Sequence, residues 1–151
     1  MDESGADLLS RFAAFPASLE AAASVAGPPP AGEWGAAEIT RHLIAVEHEI
    51  WRARFASIAR KDEPRWARTE PGQAPGFDDA PLTEIVTAFA DARTGTVEIV
   101  RDLDESGWAR AGIHATYGRL DVAGLLRLAI DHDQEHLMGI PAPDRPLSGG
   151  D

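Results

Sequence analysis

Ile130-Asp131-His132-Asp133-Gln134-Glu135-His136-Leu137 sets two histidines four residues apart near the end of a strongly apolar helical pattern. Four residues make about one turn, so both imidazoles leave one face of a helix and can reach a single ion. From Val122 onward the apolar positions fall at Val122, Leu125, Leu126, Ala129 and Ile140, and His132 and His136 lie on that same stripe. Two titratable rings where core residues are expected need a reason, and a metal is one.

Three further helical patterns precede this one. The first runs from about Ala6 to Val25, with Leu8, Leu9, Phe12, Phe15, Leu19, Ala22 and Ala23 at helical spacing. Pro16 lies inside it and removes a backbone donor, which predicts a kink or break there. Gly27-Pro28-Pro29-Pro30 ends it. The second helix starts after Trp34, with Gly35 as N-cap, Glu38 at N3 and Trp34 placed to staple onto Ile39. It continues to about Ala59 through Ile39, His42, Val46, Ile50 and Ala53, so His42 is also core-facing. His48, six residues on, points about 120° away around the helix.

Lys61 to Ala80 has no period and three prolines. A packed surface connection is the first reading; a lid with Trp66 as its apolar plug is the second. The third helix opens at Pro81 with Asp78 and Asp79 near its positive end, and its stripe is Leu82, Ile85, Val86, Phe89, Val97, Val100 and Leu103. Glu105 to Leu120 reads as irregular, Asp121 caps the fourth helix, and Pro141 ends it. With no convincing strand, the expectation is an all-α domain over 1–151: a four-helix bundle with its core over about 6–140 and a loose tail at 141–151. His42 lies early in its helix and the other two histidines late in theirs, so the three meet only if those helices are antiparallel. That requires an up-down-down-up path with a long crossover between helices two and three, which the twenty residues 61–80 can span.

Composition removes several function classes. No cysteine means no disulfide, thiolate metal site or cysteine nucleophile. A net charge of −11 disfavours nucleic acid and anionic membrane as partners. No apolar run spans a bilayer, and Met1-Asp2-Glu3-Ser4 lacks the basic start of a signal peptide, so a soluble cytoplasmic protein is expected. The Glu and Arg residues along helices two and three read as solvated faces.

A single histidine on an apolar face is usually a satisfied core residue. Two at one-turn spacing, with a third at matching depth on another stripe, favour a three-His site of His42, His132 and His136. Neutral imidazoles suit Zn²⁺, Ni²⁺, Cu²⁺ or Fe²⁺, and ligand type alone does not choose among them; zinc or nickel is the expectation. Three protein ligands leave a position for water or a small-molecule substrate. His132 to His136 also fits H-x-x-E-H, the inverted zincin motif, with Glu135 as base. Only 15 residues follow His136, and beyond Asp144 and Asp151 none can serve as a downstream ligand, so Glu135 is kept only as a proton carrier. His114 reads as structural or solvated, with a role at the pocket rim as the alternative.

Three stretches resemble the DinB-like (YfiT-like) family: Glu33-Trp34 with Glu38 and Arg41-His42-Leu43 through Glu47; Gly112-Ile113-His114-Ala115-Thr116-Tyr117-Gly118-Arg119-Leu120; and His132-Asp133-Gln134-Glu135-His136-Leu137 through Ile140. The last is similar to the family's closing H-D-x-x-H-L-x-x-I. The resemblance implies the same bundle, a divalent metal on His42, His132 and His136, and a homodimer. It implies metal-assisted hydrolysis or transfer to a low-molecular-weight thiol, with a non-catalytic metal- or small-molecule-binding module as the alternative. The chain lacks the extra domain and the basic patches that a large anionic thiol cofactor would need.

Overall fold

A computed structural model of the chain describes residues 4–143. Asp144, Asp151 and most of the expected tail lie outside the described residues. The elements in order are α1 (Gly5–Ser24), α2 (Ala36–Val46), a π-helical segment (Glu47–Arg52), α3 (Ala53–Arg60), β1 (Arg65–Trp66), α4 (Leu82–Arg101), α5 (Glu105–Trp108), β2 (Ala111–His114), β3 (Gly118–Asp121) and α6 (Val122–Gly139). The backbone stays helical from α2 through the π segment into α3, so these three form one rod over 36–60.

Local chemistry sets the ends of these helices. The Ser4 hydroxyl accepts from the Asp7 amide at 3.1 Å, and Asp121 Oδ1 accepts from the Gly124 amide at 2.8 Å. Glu38 reaches back to accept from the Gly35 amide at 2.8 Å, as its N3 position predicts. Pro16 does not break α1, which runs unbroken past it. Packing of Leu8, Phe12, Phe15, Leu19 and Ala23 along one face holds the helix across the missing donor.

The core forms two clusters stacked along the rods. One gathers Leu8 and Phe12 of α1, Phe55 and Ile58 of α3, Val97 and Val100 of α4, and Val122 and Leu125 of α6. The other gathers Leu19 and Ala23 of α1, Ile39 and Leu43 of α2, and Ile85 and Phe89 of α4, with Ile140 just beyond α6. Edge-on aromatic pairs sit in both, Phe12 on Phe55 at 5.9 Å and Phe15 on Phe89 at 5.8 Å. Phe12 and Phe15 are therefore interior residues, and α1 cannot use them as a dimer face.

The all-α expectation needs one correction. Residues 105–121 hold a short helix and a hairpin, and β1 adds in parallel to β2, giving a small sheet of order β1-β2-β3. A two-residue strand carries no periodic signal, and β2 and β3 are four residues each. What makes β1 a strand is a distant partner: Trp66 pairs in register with His114. Trp66 lies so close over Gly112 that a Cβ there would sit 2.2 Å from the indole, and its N–H donates to Ser57 Oγ at 2.9 Å. Trp66 is thus a clasp between the long connection and the hairpin, and is not a plug over the histidines.

Candidate metal centre

His42 on α2 meets His132 and His136 on α6. Their ligand nitrogens all lie within 4.8 Å of one another, and all three side chains are half-buried. The two Nε2 atoms of His132 and His136 are 3.2 Å apart. The ring of His42 lies 4.9 Å from that of His136 and 6.3 Å from that of His132. His48 stays outside, exposed, with Nδ1 3.3 Å from Arg52.

The long connection supplies a contact that sequence could not assign. His42 Nδ1 lies 3.0 Å from the Gly72 carbonyl, which only accepts, so that nitrogen carries the proton. With Nδ1 turned to that carbonyl, Nε2 is the nitrogen left for an ion, the orientation typical of a metal-ligating histidine. The loop is stapled in place beside it: the Ala74 amide donates to the Arg41 carbonyl at 3.0 Å, and the Arg41 guanidinium donates to the Ala74 carbonyl and to Asp78 Oδ1, each at 3.2 Å. Trp34 packs against the His42 ring at 5.4 Å, and so acts at the site beyond its place ahead of the helix.

Burial, then the neighbouring His136, His42 and Arg93, push the His132 pKa down to about 4. His136 is also lowered, by burial and then by His42, with Glu135 acting against it. Both of these α6 rings are held below their ordinary range, and the ring nitrogens gathered at the cluster are of the type that suits a divalent transition ion. His132 Nδ1 is buried without a partner, and its ring meets Trp51 edge-on at 5.6 Å. Glu135 is exposed on α6.

The pH behaviour follows from these directions. His132 has a folded value below the ordinary 6.5, so the unfolded chain takes up its proton first, and His132 withdraws stability as pH falls from 6.5 toward 4. Asp133, raised by burial to about 6 despite Arg93, acts with the opposite sign as pH falls through 6. The two offset each other in a melting curve, so ring signals are the better measure. In an NMR titration of metal-free protein, the His132 ring is expected to stay neutral down to about pH 4. A midpoint near 6.5 would contradict its buried, clustered setting.

Next to the histidines lies a buried ion network whose Arg93 and Glu47, on helices three and two, were expected on solvated faces. Arg93 is 1% exposed and Glu47 0%. Arg93 donates to both Asp133 oxygens at 2.9 Å, to Glu47 Oε1 at 3.0 Å and to the Phe12 carbonyl at 2.8 Å, with its guanidinium 3.8 Å above the Phe12 ring. Burial lowers its pKa, but the Glu47 and Asp133 carboxylates outweigh that and hold it above its ordinary value. Arg93 therefore ties together all four rods, including the two that carry the histidines. Asp133 follows His132 directly, so the bidentate pair fixes the rotation of α6 that presents both of its rings. A signal was available: the α4 stripe skips a turn between Phe89 and Val97, and Arg93 fills that gap. Glu47 likewise falls between Leu43 and Ile50, at the start of the π segment, a helix variant frequent at functional sites.

Four helical rods and three histidines gathered between two of them define a helical bundle with a candidate metal centre. The chain belongs to the DinB superfamily, whose family model matches residues 2–139. Its fold is similar to that of YfiT from Bacillus subtilis, described as a probable metal-dependent hydrolase with an unusual four-helix bundle topology. That similarity has a TM-score of 0.70 at 16% identity, over 92% of this chain and 86% of YfiT. No curated protein matches the chain in sequence. Among the described residues, no helix is long and apolar enough to cross a membrane.

Proposed function

We propose that this protein is a divalent-metal-dependent hydrolase whose ion is held by His42, His132 and His136. The observation that carries the reading is the convergence of the three rings with His42 fixed in its ligating tautomer by Gly72. A divalent ion bound there, zinc or nickel in first place, supplies Lewis acidity to a water or a substrate oxygen. Gly72 orients His42. Arg93 and Asp133 hold α6 so that His132 and His136 face inward. Trp51 packs against His132 and walls the cluster on its buried side. Glu135, exposed and next to His136 in the chain, is assigned the role of proton carrier, a reading supported by its electrostatic influence on His136.

We infer the up-down-down-up path from the way helix ends share the two core clusters. The start of α1 joins the ends of α3 and α4 and the start of α6, and the end of α1 joins the starts of α2 and α4. The homodimer belongs to the same proposal, with light scattering as its test.

The activity test uses untagged protein against a panel of chromogenic carboxylic esters, amides and phosphoesters. Turnover that a chelator abolishes and zinc or nickel restores is the expected result, with Glu135→Gln lowering kcat and altering its pH profile. Turnover indifferent to chelation, or none with any metal, would favour a non-catalytic binding module. Metal-dependent turnover that also requires added thiol would move the reaction to thiol transfer.

A further inference from the structure

A pocket of about 260 Å³ opens beside the histidine cluster, with His132 in its wall. Ile50, Trp51 and Leu128 make its apolar part. Apart from His132, the rest of its lining carries groups that can donate: Arg54, Arg68, Thr69, His114, Thr116 and Tyr117. In a chain with 25 acidic residues and 14 basic ones, no aspartate or glutamate among the described residues lines it.

Arg54 is the central donor. It is only 7% exposed, yet it borders the pocket. Its guanidinium lies 5.5 Å from the Trp66 ring and makes one hydrogen bond, to the Ala67 carbonyl at 3.3 Å. Among the described residues it has no carboxylate partner. A guanidinium offers five donors, and a buried one is ordinarily paired. Arg93, in the same protein, shows the paired alternative with two carboxylates.

His114 adds a second donor. Its Nδ1 accepts from the Thr116 amide at 2.9 Å and the Tyr117 amide at 3.2 Å. Both are N–H groups, so the proton of the neutral ring is on Nε2, and the free edge of the ring can only donate. Burial and the charges of Arg54 and Arg68 lower its pKa, in keeping with their closeness. Arg68, which also lines the pocket, makes among the described residues a single solvent-exposed pair, with Glu70 at 3.4 Å, and such a pair is weak.

We propose that this pocket binds the anionic oxo group, carboxylate or phosphate, of the substrate, with Arg54 as its main anchor and His114 and Arg68 as supporting donors. A planar guanidinium fork matches both oxyanions. Anchoring one end of a compact substrate there brings its other end to the cluster that His132 shares with the pocket. The inference rests on the metal-dependent reading for its catalytic meaning, but anion binding can be tested without it.

The test follows tryptophan fluorescence of zinc-loaded, untagged protein at constant ionic strength. The probes are propionate, inorganic phosphate and the neutral isostere propionamide. Propionate or phosphate should saturate and propionamide should not; the tighter of the two identifies the oxyanion. Arg54→Gln should weaken that binding at least about tenfold while the zinc content is unchanged. Thr69→Asp, which sets a carboxylate in the pocket wall and leaves Arg54 alone, should weaken it to a similar extent and decides the matter if Arg54→Gln does not fold. Absence of saturation in the wild type, or wild-type affinity in Thr69→Asp and in a folded Arg54→Gln, would overturn the proposal. Loss of zinc from the wild type itself would instead overturn the metal assignment, and the same titration on metal-free protein would still read the pocket.

Discussion

Arg93→Ala is expected to destabilise the protein by about 3–5 kcal/mol, a large share of the roughly 5–15 kcal/mol that holds a domain of this size together. The cost comes less from the lost attractions than from what remains. Glu47 and Asp133 would face each other in the interior with no cation between them, and the Phe12 carbonyl would lose its donor. Glu47 Oε2 is already buried without a partner, so that carboxylate has no second contact to fall back on. Urea unfolding of metal-free protein measures the effect, and a loss under about 1 kcal/mol would mean that the network is not structural. Replacing all three charges together, as Glu47→Leu, Arg93→Met and Asp133→Leu, is expected to recover much of the stability, because no unpaired charge is left. The triple variant should still bind metal more weakly than the wild type, by about 10–100-fold, the usual effect of losing groups that orient ligands. Recovered stability with undiminished affinity would show that Arg93 does not position the histidines.

Removing a candidate ligand should have the largest effect on metal content. Plasma mass spectrometry of the untagged wild type is expected to find about one divalent ion per chain, and His132→Ala close to none. The loss in affinity should exceed the roughly 100-fold that marks the upper end for orienting groups. His132 is the telling position: its Nε2 lies 3.2 Å from that of His136, so truncating it opens the centre of the cluster. His42→Ala should act alike, and it also releases Gly72. The fold should survive each change, because these rings are only half-buried. Chelation should then lower the melting temperature of the wild type but not of His132→Ala. An ion at 1,000 times its Kd contributes about 4 kcal/mol, which only a protein with the site can lose. Full occupancy in His132→Ala would rule out this cluster as the site.

The helices were legible because their signals are local. The Asp121 cap, the Glu38 contact to Gly35 and the stripes of α1 and α6 each depend on residues within a few turns. The one-turn spacing of His132 and His136 is of the same kind. The strands, the π segment and the buried charges were not legible. Arg93 and Asp133 are 40 residues apart, and Arg93 and Glu47 46 apart, and nothing in an arginine's immediate sequence says that two carboxylates will surround it. By residue type alone Arg93 belongs to a solvated face, and only its place on the Phe89–Val97 stripe hinted otherwise.

By itself the sequence determined four helical stretches, their inward faces, and three histidines on those faces, because periodicity and capping act over a single turn. The tertiary structure alone decided the tautomer of His42, the network next to the site and the donor-lined pocket beside it. Each of these comes from side chains and carbonyls far apart in the chain: Gly72 on His42, Arg93 between Glu47 and Asp133, and Arg54 beside His114. Hydrogen bonds and desolvation depend on what the folded chain brings within about 3 Å, and no local pattern in the sequence specifies that.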